Sequence, residues 1–138
     1  MIILDTNVIS ELMKNDPNPA VKVWIGKQKS SNIAITVIAI AEIQKGIMRL
    51  PKGKRQTSLI KSFKSFMADA FSGRILPFDE RSAYLYGNIT AERVKNGFNT
   101  DAVDLMIAAV AKNCRASIAT RNIKDFQGCG IKIINPWD

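Results

Sequence analysis

The stretch Met1-Ile2-Ile3-Leu4-Asp5-Thr6-Asn7-Val8-Ile9-Ser10 decides how the rest of the chain is read. Met1 to Leu4 is an unbroken apolar run, stopped abruptly by Asp5, Thr6 and Asn7. Apolar residues without alternation predict a strand buried on both faces, as in the middle of a parallel sheet. Ligands of such sheets bind beyond the carboxyl ends of the strands, which is where Asp5 falls. A carboxylate at that place must be solvated, hydrogen-bonded or metal-bound, because burying it bare is costly. Thr6 and Asn7 can supply hydrogen bonds or cap the next helix; the plainer alternative is that Asp5 only caps that helix.

Working outward, the same alternation of apolar strand and amphipathic helix recurs. Val8, Ile9, Leu12 and Met13 are spaced for a short helix, and Pro17 or Pro19 can open the next one. Residues 32–36 read as a second buried strand, with Thr36 placed to cap a helix over 37–48. A further helix spans 56–71 and ends at Gly73-Arg74. Residues 75–78 are a short strand, and Pro77 puts it at a sheet edge or a strand end. Asp79 can cap a helix over 80–95, whose apolar or aromatic positions are Ala83, Tyr84, Tyr86, Ile89, Ala91 and Val94. Residues 101–113 form the most apolar helix, with Asp101 as its cap, and a helix apolar almost all round is a buried one. Strands over 116–120 and 131–134 complete the pattern. The fold class is α/β: residues 1–138 as one domain, with a mostly parallel central sheet of about five strands flanked by helices.

Composition narrows the chemistry. No apolar run approaches the roughly 20 residues that span a bilayer, and the N-terminus lacks a signal peptide, so a cytoplasmic protein is expected. The chain has no histidine, which excludes Ser-His-Asp and Cys-His machinery and histidine metal ligands. Cys114 and Cys129 are expected to be free thiols. The net charge of +8 favours a polyanionic partner. Lys45, Arg49, Lys52, Lys54, Arg55, Lys61 and Lys64 fall in a segment, 43–68, that has no acid at all. Such a run is either a nucleic-acid footprint or a solvated face.

Three acids stand out against this background. Asp5 ends a buried strand, Glu42 sits in an apolar helix after the second strand, and Asp104 lies one turn into the most buried helix. Strand ends and the N-termini of following helices share one edge of a parallel sheet. Glu42 is about six residues into its helix, roughly 9 Å along it, and a glutamate leaning back regains part of that distance. Asp125 or Asn122 follows another strand and can join them. Carboxylates gathered at one spot repel, by about 4 kcal/mol per pair at 4 Å and the effective dielectric of a protein surface. A raised pKa or a hard divalent cation relieves this, and with only oxygen donors Mg²⁺ or Mn²⁺ is the natural candidate. A basic protein with such a site suits metal-dependent phosphodiester hydrolysis.

The same residues carry a resemblance. Ile3-Leu4-Asp5-Thr6-Asn7, the Glu42 helix, the segment Asp104 to Ala109 and the segment Thr120 to Phe126 together resemble the PIN-domain ribonucleases. More narrowly they resemble the VapC-type toxins of toxin–antitoxin pairs, and Ile134-Asn135-Pro136-Trp137 is similar to the ending of the FitB-type subgroup. The resemblance implies a PIN-like fold and an acidic metal-binding triad at Asp5, Glu42 and Asp104. It places a fourth acidic position after Thr120, where this chain has Asn122, with Asp125 three residues on. Thr6 would polarise Asp5 or a water, and Asn7 would fix backbone. Arg121 would contact a phosphate or pair with a structural acid. The resemblance further implies an RNA substrate, a homodimer, and a cognate antitoxin whose basic side chain enters the acid cluster, with a toxin–antitoxin hetero-oligomer on promoter DNA.

The function expected is therefore a Mg²⁺- or Mn²⁺-dependent endoribonuclease acting as a toxin. Asn122 motivates the alternative of a catalytically weak nucleic-acid-binding module working with a DNA-binding partner. A small phosphatase or phosphotransfer receiver using Asp5 ranks last, since no lysine is placed to serve it.

Overall fold

The computed structural model describes residues 1–70 and 74–138. The elements in chain order are β1 Ile2–Leu4, α1 Thr6–Leu12, α2 Pro19–Gly26, β2 Ile33–Thr36, α3 Val37–Met48, α4 Lys54–Ala70, β3 Ile75–Leu76, α5 Glu80–Lys95, α6 Ala102–Asn113, β4 Ser117–Ala119 and β5 Ile133–Ile134. The strands form one sheet in the order β3-β2-β1-β4-β5, and every pairing is parallel. The expected end of the fourth helix at Phe71 and Gly73 lies outside the described residues. Residues 75–78 shorten to β3, which is indeed an edge strand, as Pro77 requires.

β1 is central, and the physics of its apolar run is plain. Ile3 and Leu4 are both fully buried, but on opposite sides of the sheet. Ile3 packs with Ile118 and with Leu105, Ala108 and Phe126 on the α5–α6 side. Leu4 packs with Ala119, Ile33 and Ile35, and with Val8, Ile43 and Phe63 on the side of α1, α3 and α4. Helices thus cover both faces, which is why the strand shows no polar alternation.

Side-chain caps start five of the helices. Asp5, Asn18, Thr36, Asp79 and Asp101 each accept a hydrogen bond from an amide of the first turn. β2 runs into α3 without an intervening loop, because Thr36 is both its last residue and the cap. The apolar positions of α5 do not form a buried stripe: Ile89 is buried, but Tyr84 and Val94 are 71% and 62% exposed, while Ser82 and Arg93 are buried instead. Arg93 donates from Nε and Nη2 to the Asn99 carbonyl and from Nη1 to the Gln127 carbonyl, and its guanidinium lies over the Phe98 ring. Those carbonyls belong to loops that no helical periodicity reveals. Both cysteines are free, as expected. Among the described residues no helix is long and apolar enough to cross a membrane.

Candidate active site

Strand order creates the site. The chain steps outward from β1 to β2 and β3, then returns to place β4 on the other side of β1. The crevice beyond the carboxyl ends of β1 and β4 is the switch point where ligands of open α/β sheets bind. Asp5 and Thr120 are the residues that follow these two strands. The Asp5 amide donates to the Ala119 carbonyl, 2.9 Å, and so extends the ladder by one bond and fixes the Asp5 side chain over the crevice.

Asp5 is only 4% exposed, yet it is well supplied with donors. Its Oδ1 accepts from the Thr6 amide at 2.8 Å. Its Oδ2 accepts from Thr120 Oγ1 at 2.8 Å and from Asn7 Nδ2 at 3.3 Å. Asp5 therefore both caps α1 and occupies the strand-end site, and the two readings of it do not compete. Burial raises its pKa, the bonds from Thr120 and Thr6 oppose that, and the charges of Asp125 and Glu42 push it further up.

Thr120 is the residue that the sequence reading passed over. It is fully buried, and its hydroxyl is a junction. Oγ1 donates to Asp5 and accepts from the Asn122 amide at 3.0 Å and from Asn7 Nδ2 at 3.3 Å. Asn7 Oδ1 in turn accepts from the Arg121 amide at 3.3 Å. The available signal was that Thr120 ends an apolar strand just as Asp5 does. What could not be read was that the two strands are neighbours.

Asp104 enters from the other side of the crevice, in the first turn of α6, where its amide donates to Asp101 Oδ1 at 3.1 Å. Among the described residues no hydrogen-bond donor reaches its carboxylate. Its pKa is pushed up to about 7, chiefly by burial and then by the charges of Asp5, Asp101, Asp125 and Glu42. Asp5 and Glu42, from separate parts of the chain, thus both lie within electrostatic reach of Asp104. Asp125, in the helical turn Ile123–Phe126, belongs to this group, since its charge bears on both Asp5 and Asp104. Asn122 is exposed, and it contributes its amide to Thr120. Asn7 does fix backbone, as well as touching Asp5.

Glu42 is half-buried on α3 and lines a groove of about 420 Å³ that also contains Thr6, Lys14 and Arg55. The Thr6 hydroxyl is buried without a hydrogen-bond partner; it is the Thr6 amide that supports Asp5. Lys14 is engaged by Glu11 at 3.0 Å.

This donor set suits a hard cation. It is all oxygen, the carboxyls of Asp5 and Asp104 are raised above their ordinary pKa chiefly by burial and further by neighbouring acids, and the buried Thr6 hydroxyl lacks a partner. Among the described residues no three acids close into a compact cage.

Comparison with known proteins agrees with this geometry. Residues 2–127 match the PIN domain family model. The VapC ribonuclease Y4jK of Sinorhizobium fredii is 38% identical over 138 residues, covering 100% of this chain and 99% of the relative. Toxin FitB of Neisseria gonorrhoeae is 36% identical over 137 residues, covering 99% of each. The structure of FitAB bound to an IR36 DNA fragment superposes with a TM-score of 0.92 at 36% identity, over 100% of this chain and 96% of that one. On matched sequence and matched fold, the chain belongs to the PIN domain family and is similar along its whole length to the VapC and FitB toxins.

Proposed function

We propose that this protein is a divalent-metal-dependent endoribonuclease and the toxin of a toxin–antitoxin pair. What supports the reading is that Asp5, at the switch point of the sheet, lies within electrostatic reach of Glu42 and Asp125, and Asp104 within reach of all three. Asp5, Asp104 and Glu42 would hold Mg²⁺ or Mn²⁺, with Asp125 supporting them. When bound, the metal supplies an acidified water and charge neutralisation at the phosphate. Thr120 and Asn7 keep the Asp5 carboxylate in one orientation. The Thr6 hydroxyl, buried and unpartnered, can orient a water in the groove beside Glu42. Asn122 shapes the turn through its amide, which leaves Asp125 as the fourth acid.

The relatives named as ribonucleases support the reaction, and the FitAB complex with a DNA fragment supports a partner protein and DNA binding as a joint assembly. An acidic pocket in a protein of net charge +8 suits capture of a basic antitoxin side chain. The test is cleavage of labelled RNA by the purified protein with added Mn²⁺ and with EDTA. Metal-dependent cleavage that disappears in Asp104→Asn supports the proposal. Tight RNA binding without cleavage under any divalent metal favours the alternative, a binding module, to which Asn122 in place of an acid points.

A further inference from the structure

Arg121 follows Thr120 at the carboxyl edge of the sheet and is exposed. Its guanidinium lies over the Trp137 ring, 5.3 Å from the centroid. Trp137 is itself anchored: it packs against the core that contains Leu4, Val8, Ile9 and Ala119, and its amide donates to Asn135 Oδ1 at 3.0 Å. The Arg121 amide donates to Asn7 Oδ1, and Asn7 Nδ2 reaches Asp5 Oδ2. One side chain therefore separates the Arg121 backbone from the first acid of the crevice.

Among the described residues Arg121 is in no ion pair. Glu11 is close enough to feel its charge, but the Glu11 carboxylate is already taken by Lys14 Nζ and the Asn18 amide. Arg93 shows the opposite use of the same side chain, buried and bonded to carbonyls throughout. A guanidinium drawn over an indole by the cation–π attraction spends none of its N–H groups on that contact, so they stay available for a bidentate one. A crevice of four carboxylates repels an approaching polyanion, so a preorganised cation at its rim has a definite task.

We propose that Arg121, set over the Trp137 ring, binds a backbone phosphate of the RNA strand beside Asp5. The proposal rests on the nuclease reading for its substrate. Its test is separable, because binding can be read without cleavage. Anisotropy of a labelled single-stranded RNA in EDTA is followed against salt for the wild type, Arg121→Ala, Arg121→Lys, and Lys132→Ala as a control for loss of one exposed charge at the opposite sheet edge. Arg121→Ala should weaken binding about tenfold and lower the slope of log affinity against log salt by about one. Arg121→Lys should restore the slope but only part of the affinity, and Lys132→Ala should change neither quantity. Unchanged affinity and slope in Arg121→Ala, with only a lower Tm, would overturn the proposal and make the stack a clasp for the C-terminus. An Arg121 effect on binding in a wild type that never cleaves RNA would leave this inference standing and remove the nuclease.

Discussion

Asp5 and Asp104 lie within electrostatic reach of one another, yet they are held in different ways. The Asp5 corner is closed: strand ladder, cap and the Thr120–Asn7 network fix a carboxylate that accepts bonds on both oxygens. The Asp104 side is open. Its carboxylate meets burial and like charge with no donor among the described residues to offset them, and its pKa rises to about 7. The contrast teaches that charge in this pocket is stabilised structurally on one side and left uncompensated on the other. An uncompensated carboxylate is what a cation can exploit.

The sharpest way to break this comparison is to neutralise each acid in turn. Asp5→Asn and Asp104→Asn should both reduce RNA cleavage by about 10²–10³-fold, the scale of losing metal-centred charge stabilisation. Their stabilities should diverge. Asp5→Asn sets an amide against the donors of Thr6, Thr120 and Asn7, and should cost about 1–3 kcal/mol in denaturant titration. Asp104→Asn should instead stabilise the metal-free protein by about 1–2 kcal/mol at pH 8, a figure reduced for the partial exposure of the group. Equal losses in both variants would show that the two sides are not different.

Thr120→Val removes the junction while leaving every acid in place. It should lower stability by about 1–3 kcal/mol, and it should reduce kcat/KM for RNA through misorientation of Asp5. A stable, fully active variant would mean that the network is not needed for the site.

A gentler probe is pH. The folded-state carboxyl of Asp104 binds its proton more tightly, at about 7, than the ordinary value of 3.8 that the unfolded chain should show. Its contribution to stability is therefore complete below the unfolded value and is lost as the pH rises through about 7. The Tm of metal-free protein should fall over that window, and the fall should shrink in Asp104→Asn. Saturating Mg²⁺ at pH 8 should recover about 2.7 kcal/mol at a hundred times its Kd. A Tm indifferent to Mg²⁺ would detach the raised carboxyl from metal binding.

Much of this was legible in the chain. The run Met1 to Leu4 gave a doubly buried strand, Thr36, Asp79 and Asp101 announced the helices they cap, and α3 begins and ends where its pattern does. Asp5, Glu42 and Asp104 were noticeable because an acid is out of place in an apolar element, which is a local property. Thr120 and Arg93 were not legible. A threonine ending a strand is unremarkable until its neighbour is known to be Asp5, and a buried arginine looks like any surface cation until loop carbonyls surround it.

The sequence by itself determined the class of fold and the chemical kind of site, since hydrophobic period, caps and the absence of histidine are written residue by residue. Only the tertiary structure decided that β4 rather than β2 supplies the partner of Asp5, that the charge of Asp125 bears on Asp5, and that the Arg121 guanidinium lies over the Trp137 ring. The reason is physical. Local patterns record which groups must leave water, whereas hydrogen-bond partners and shared electric fields depend on distances between segments that the chain brings together only by folding.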